Sequence, residues 1–167
     1  MAMVGLFWIA EGDVYVGAKP SGLAPGVRLS PEGVVALGDG QAGLYPWEDV
    51  QALTVEYVPV KTLKRQVGVA GTLALSAVTG WVDEPAPMMA LHLRSGTDTH
   101  ELWTYAAPVA GYTRTELDLS RTLLSRLTEG AATMATTLAA MSEWGRAWEG
   151  GSPRGTERER LLQGWVD

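Results

Sequence analysis

Short β-prone segments separated by turn sequences recur through the first 105 residues, apart from one long insertion, and this pattern constrains the fold more than any other feature. Three sequences are typical of hairpin turns: Glu11-Gly12-Asp13, Ser30-Pro31-Glu32-Gly33 and Ser95-Gly96-Thr97-Asp98. Apolar runs on both sides of such turns are typical of β-hairpins. The sequence therefore predicts seven antiparallel strands, over residues 6–9, 14–16, 27–29, 34–37, 53–57, 88–94 and 99–105.

Two of these segments also predict which side chains face the core. In the fifth segment Leu53, Val55 and Tyr57 alternate with polar residues, so we expect all three to be buried on one face of the sheet. In the last hairpin a four-residue loop sets Leu91 opposite Leu102, which predicts a second apolar pair on that face.

The two histidines lie in that same hairpin. The register sets His92 opposite Glu101 and His100 opposite Leu93, so the two imidazoles are expected on opposite faces of the sheet. A metal site needs ligands that converge on one point. A cross-strand contact between His92 and Glu101 is therefore expected, and no metal site.

A capped amphipathic helix is predicted after the strands. Thr113 and Glu116 have the spacing of a capping box, in which each side chain binds a free backbone N–H of the first turn. Gly130 is expected to end this helix. Its apolar stripe consists of Leu117, Leu123, Leu124 and Leu127.

The residues after 130 form a second helical pattern and a tail. The predicted organisation is a barrel domain over 1–129, a second amphipathic helix over 130–150, and a linker with a C-terminal tail over 151–167. Met and Trp are enriched in protein interfaces, so this region is the predicted partner-binding surface. Its candidate residues are Met134, Leu138, Met141, Trp144, Trp148, Leu161, Leu162 and Trp165.

Two local patterns, Val27 to Val34 and Tyr45 to Val50, resemble those of bacterial PH-like (pleckstrin-homology-like) and GRAM-like domains. The resemblance covers roughly residues 4 to 129. It implies a mainly β, α+β fold: a seven-stranded antiparallel half-barrel closed by a helix. Lipid-binding members commonly carry basic residues in the first hairpin loop, where this chain has Glu11 and Asp13. Two carboxylates repel a phosphate, so the resemblance implies protein binding instead.

Composition narrows the function classes further. The net charge of −6 argues against nucleic acid, which requires clustered Lys and Arg. The sequence has no cysteine, so it contains no disulfide, zinc thiolate or thiol nucleophile. None of the common catalytic or nucleotide-binding motifs is present. A non-enzymatic protein without a cofactor is therefore expected.

An insertion over residues 61–87 separates the fifth and sixth predicted strands and is longer than a typical connection. Its residues Lys61, Lys64, Arg65 and Trp81 are the candidates for membrane contact. Cations at the headgroups with a tryptophan anchor are typical of interfacial segments. Packing of the insertion on the barrel, or on a protein partner, remains open.

The sequence thus predicts a protein-binding adaptor or scaffold that recognises another protein or a second copy of itself. The abundance of Ala, Gly and Arg indicates a bacterial source. The N-terminal residues lack the features of a signal peptide, which favours a cytoplasmic location. One alternative is a peripheral lipid-binding module at the inner face of the membrane. Another is a small-ligand carrier.

Overall fold

A computed structural model describes residues 2–61, 87–108 and 111–167. In this part of the chain nine strands form two antiparallel sheets, and three helices follow them. The strands are β1 (Ala2–Val4), β2 (Phe7–Ala10), β3 (Asp13–Val16), β4 (Gly26–Leu29), β5 (Gly33–Leu37), β6 (Gly43–Pro46), β7 (Val50–Glu56), β8 (Met88–Ser95) and β9 (Asp98–Tyr105). The helices are α1 (Arg114–Leu127), α2 (Ala131–Ala147) and α3 (Gly155–Val166).

Each sheet is a meander in which consecutive strands pair. The first contains β1 to β6 in sequence order, and the second contains β7, β8 and β9. A single 3-10 turn, Trp47–Asp49, separates β6 from β7. The fold is therefore mixed α+β, as predicted, but the strand count of seven was wrong for the described residues. The two strands that the sequence did not reveal are β1, only three residues long, and β6, which contains Gly43 and Pro46.

The predicted hairpin registers are confirmed. Leu91 pairs with Leu102, His92 pairs with Glu101, and His100 pairs with Leu93. Pairing continues to Ser95 and Asp98, which leaves two residues in the turn. The His92 Nε2 atom lies 3.2 Å from Glu101 Oε2, as the cross-strand interpretation requires.

The two sheets share one hydrophobic core and are joined at β9 by side chains. The Gln41 amide nitrogen donates to the carbonyl oxygens of Gly26, Leu37 and Trp103, and its oxygen accepts from the Trp103 N–H at 2.8 Å. The Thr104 hydroxyl donates to the Val16 carbonyl oxygen at 2.8 Å. These contacts replace a continuous strand ladder, and the described strands do not form a closed barrel.

Helix α1 begins at the predicted capping box and covers the core near β7. The Thr113 hydroxyl accepts from the Glu116 N–H at 3.1 Å, and the Glu116 carboxylate accepts from the Thr113 N–H. The four leucines of the predicted stripe are buried. The helix ends at Leu127, because Thr128 has left the helical conformation before Gly130 is reached.

Helix α2 packs on β2 and β3, so the wide first sheet gives the second helix a surface to cover. Gly145 faces Ile9 so closely that a Cβ at this position would collide with the Ile9 side chain.

Helix α3 packs on α1 and β1, and the region predicted as a tail is a helix over most of its length. A buried ion pair fixes it in place. The Arg158 guanidinium donates to the Glu116 carboxylate, and it also donates to the Pro153 carbonyl oxygen at 2.7 Å. The Glu116 side chain is 1% exposed and that of Arg158 is 12% exposed.

Candidate functional site

Four of the predicted partner-binding residues lie in the core of the chain itself. Met134, Leu138, Met141 and Leu162 are all less than 8% exposed and belong to the hydrophobic cluster beneath the helices. Because an apolar helical stripe is stabilised by any apolar surface, the sequence pattern does not distinguish a core from an interface. These side chains are buried within the chain itself while α2 and α3 remain packed, and their role in partner binding stays a prediction.

The three tryptophans of this region form one cluster between α2 and α3. The Trp144 ring stacks on Trp148 with centroids 5.2 Å apart and meets Trp165 edge-on at 5.9 Å. The Trp148 indole also donates to the Gly151 carbonyl oxygen at 2.8 Å. These rings and Leu161 are half-buried, so they join the two helices while keeping some surface. Their role in partner binding stays a prediction.

The residues predicted to contact a membrane are largely outside the described part of the chain. Lys61 is exposed just after β7, whereas Lys64, Arg65 and Trp81 lie outside the described residues. Within the described ranges, none of the helices combines the length and apolar character needed to cross a bilayer.

A groove separates β7 from α1. Its volume is about 530 Å³, and its floor is the edge of β7 from Gln51 to Glu56. Arg121 and Ser125 of α1, with Thr128 just after its end, form the opposite wall. In the described part of the chain β7 pairs with β8 alone, so its other edge faces this groove.

The backbone of β7 presents hydrogen-bonding groups to the groove. The Arg121 guanidinium reaches the Val55 carbonyl oxygen at 3.4 Å from the α1 side, which shows that Val55 points its backbone groups away from β8. Residues two apart in a strand point their backbone groups the same way. The N–H and C=O groups of Leu53 and Val55 therefore face the groove, although both side chains are buried in the core.

The outward face of the second sheet carries an aromatic pair formed by Tyr57 and Trp103. The two rings are parallel to within 5° and their centroids are 6.4 Å apart. Tyr57 was expected on the buried face, and that prediction was wrong. Its φ of 61° breaks the strand alternation and turns the ring outward, where it is 68% exposed.

The conformation of Tyr57 is costly, because a left-handed backbone at a non-glycine residue is disfavoured by roughly 1–2 kcal/mol. Trp103, by contrast, is fixed by two hydrogen bonds with the Gln41 side chain: its N–H donates to the amide oxygen, and its carbonyl oxygen accepts from the amide nitrogen. Ala90 lies opposite Trp103 in the sheet and is fully buried. The small Ala90 side chain leaves room for the large rings above it.

Two carboxylates border the aromatic pair. Glu56 precedes Tyr57, and Glu101 lies two residues before Trp103 on the same face of β9. The imidazole of His92 stands between them, 3.9 Å from Glu56 and 3.2 Å from Glu101. Both carboxylate side chains are about half exposed, at 53% and 49%.

The sequence contained partial signals for these features. The alternating pattern located β7, but only the pairing of the other strands leaves it at an edge. No local signal indicated the reversal of Tyr57, since an aromatic residue is an ordinary end to a strand. Comparisons with protein-family models, with curated proteins and with solved structures found no match.

Proposed function

We propose that this chain is a non-catalytic protein-binding module of the bacterial cytoplasm, and that it holds an extended segment of its partner along β7. The observation that carries the proposal is that, among the described strands, one edge of β7 has no strand partner and faces the groove with α1. An exposed sheet edge binds a peptide by adding it as a further strand, with main-chain hydrogen bonds providing affinity.

The groove supplies what such a segment needs. Leu53 and Val55 offer two backbone donors and two acceptors to it. The weak contact between Arg121 and the Val55 carbonyl oxygen occupies one acceptor and is easily exchanged for a peptide N–H. The polar wall of Ser125 and Thr128 is available for contacts to the side chains of the segment.

The order of the elements supports the finer proposal of a PH-like arrangement. A meander sheet, a second sheet of three strands and then a capped helix follow one another along the chain, as in the half-barrel expected from the sequence. In this proposal the binding surface lies on the barrel and its closing helix. The sequence placed it after residue 130, in the insertion over residues 61–87, or in both. In the first of these regions Met134, Leu138, Met141 and Leu162 are buried in the core.

The test blocks the groove without altering the core. Ser125→Arg places a long side chain in the groove, and Thr122→Arg adds the same side chain and charge at another exposed position of α1. Peptides are selected from a random display library against the wild-type protein, and their affinities for both variants are measured. We expect Ser125→Arg to weaken binding roughly tenfold or more, as for the loss of one or two buried hydrogen bonds, and Thr122→Arg to leave it unchanged.

Hydrogen exchange identifies the binding edge directly. The amides of Leu53 and Val55 should exchange rapidly in the free protein and become protected in the complex, because their N–H groups face the groove. Selected peptides that bind both variants equally, and that protect amides in α2 or α3 instead, would refute the proposal and return attention to the tryptophan cluster.

A further inference from the structure

The outward face of the second sheet carries a second feature that indicates a ligand, separate from the edge of β7 that faces the groove. We propose that the aromatic pair, Tyr57 and Trp103, together with Glu56 and Glu101, binds the guanidinium group of an arginine side chain from a partner polypeptide.

The aromatic pair supplies faces that are not fully used within the fold. A centroid separation of 6.4 Å is near the upper limit for contact between aromatic rings, and Tyr57 remains 68% exposed. A planar guanidinium stacks on aromatic faces and is attracted by their negative quadrupole. A parallel pair with the Tyr57 ring exposed and the Trp103 ring half-buried is therefore suited to a flat cation.

The charges around the aromatic pair favour a positively charged ligand. Glu56 and Glu101 lie along one side of it, and a guanidinium presents donors that match a carboxylate. His92 stands between the two acids. Among the described basic residues, Arg94 lies further along β8 on the same face, Lys61 follows Tyr57 by four residues, and Arg121 reaches the Val55 carbonyl oxygen from α1. The net charge of the chain, −6, also favours a cationic partner segment.

The backbone of Tyr57 is the least expected part of this arrangement. A φ of 61° suits glycine, and a regular strand would have buried the ring instead. Strained conformations are concentrated at functional sites, where the surrounding structure maintains them. Trp103 is held just as firmly, since Gln41 binds both of its backbone groups. Gln41 is thus a positioning residue for the aromatic pair.

The experiment follows the indole N–H signal of Trp103 by NMR, with the signal assigned from Trp103→Phe. The probe is N-acetyl-arginine N-methylamide, and the control is its citrulline counterpart, which has nearly the same shape but no charge. We expect a saturable shift of the Trp103 signal with the arginine probe. Binding of the citrulline probe should be weaker by roughly tenfold, the size expected when a cation is removed from aromatic and carboxylate partners.

Tyr57→Gly separates binding from folding. Glycine accepts the left-handed backbone, so the variant should melt at the wild-type temperature or above it while losing the shift. Ser125→Arg should retain the shift, because it blocks only the groove beside β7; this distinguishes failure here from failure of the proposed function. The inference is overturned if both probes shift the signal alike, if neither does, or if Tyr57→Gly still binds the arginine probe.

Discussion

The buried ion pair between Glu116 and Arg158 predicts that α3 is an essential part of the folded unit. Replacing Arg158 by Met keeps the apolar stem of the side chain but leaves the Glu116 carboxylate buried without its cation. Removing one partner of a buried pair destabilises a protein by about 3–5 kcal/mol. The Thr113 hydroxyl still donates to Glu116 at 2.8 Å, so the lower end applies and we expect a loss of about 3 kcal/mol.

A double variant isolates the charge. In Glu116→Gln with Arg158→Met no buried charge is left uncompensated, and an amide at position 116 can still accept from Thr113. The double variant should therefore be more stable than Arg158→Met alone, by about 1–2 kcal/mol. Arg160→Met is the matched control, because Arg160 lies on the same helix and is exposed. It should change stability by no more than about 0.5 kcal/mol.

Urea unfolding followed by far-UV circular dichroism measures these differences as shifts in midpoint at constant slope. Faster amide exchange throughout α3 should accompany the loss in Arg158→Met. If Arg158→Met and Arg160→Met unfold at the same urea concentration, the pair does not fix α3, and the reasoning from burial is refuted.

Three further perturbations test other parts of the fold. Burial raises the pKa of the Tyr112 hydroxyl far above its ordinary 10.0. The stability that depends on the protonated hydroxyl is therefore complete below about pH 10 and is lost progressively as the pH rises above it. Above pH 10 the free energy of unfolding in urea should fall more steeply with pH for the wild type than for Tyr112→Phe, by up to about 1.4 kcal/mol per pH unit. Gly5→Ala should cost about 2–4 kcal/mol in the same assay, because its Cβ would collide with the side chain of Ser120, whereas Gly22→Ala, at nearly the same φ but with open space around it among the described residues, should cost only about 1–2 kcal/mol. Gln41→Ala should cost about 2–3 kcal/mol and speed exchange of the Trp103 amide, while the exposed Gln51→Ala should change stability by about 0.5 kcal/mol or less.

The local features of the fold could be predicted from the sequence because their causes are local. The turn at Gly96 and Thr97 and the alternation of the flanking residues fix the register of β8 and β9. The capping box at Thr113 likewise needs only residues three apart. Signals of this kind locate elements accurately, and the predicted hairpins and the first helix were confirmed.

The features that the sequence did not reveal depend on distant partners. β1 is a strand only because β2 pairs with it, and the tail is an ordered helix because Arg158 meets a carboxylate 42 residues away. The role of Gln41 depends on β9, 62 residues further along the chain.

The candidate site was the least predictable part. The Met and Leu stripe of α2 has the same spacing whether it covers a core or a partner, and the width of the first sheet decides between them. The outward ring of Tyr57 depends on a single backbone dihedral angle that no neighbouring residue signals.

The contact between β1 and the helices also has a consequence for how the chain folds. The Leu6 N–H donates to the Ser120 hydroxyl across 114 residues, and the Met3 N–H donates to the Ser152 hydroxyl across 149. During synthesis, Met3 and Leu6 therefore gain these contacts only after almost the whole described chain has been translated. Contacts of such sequence separation slow folding, and the uncovered sheet is exposed to aggregation meanwhile. Helix α3, which is translated after the other described elements, packs on β1 and completes its burial.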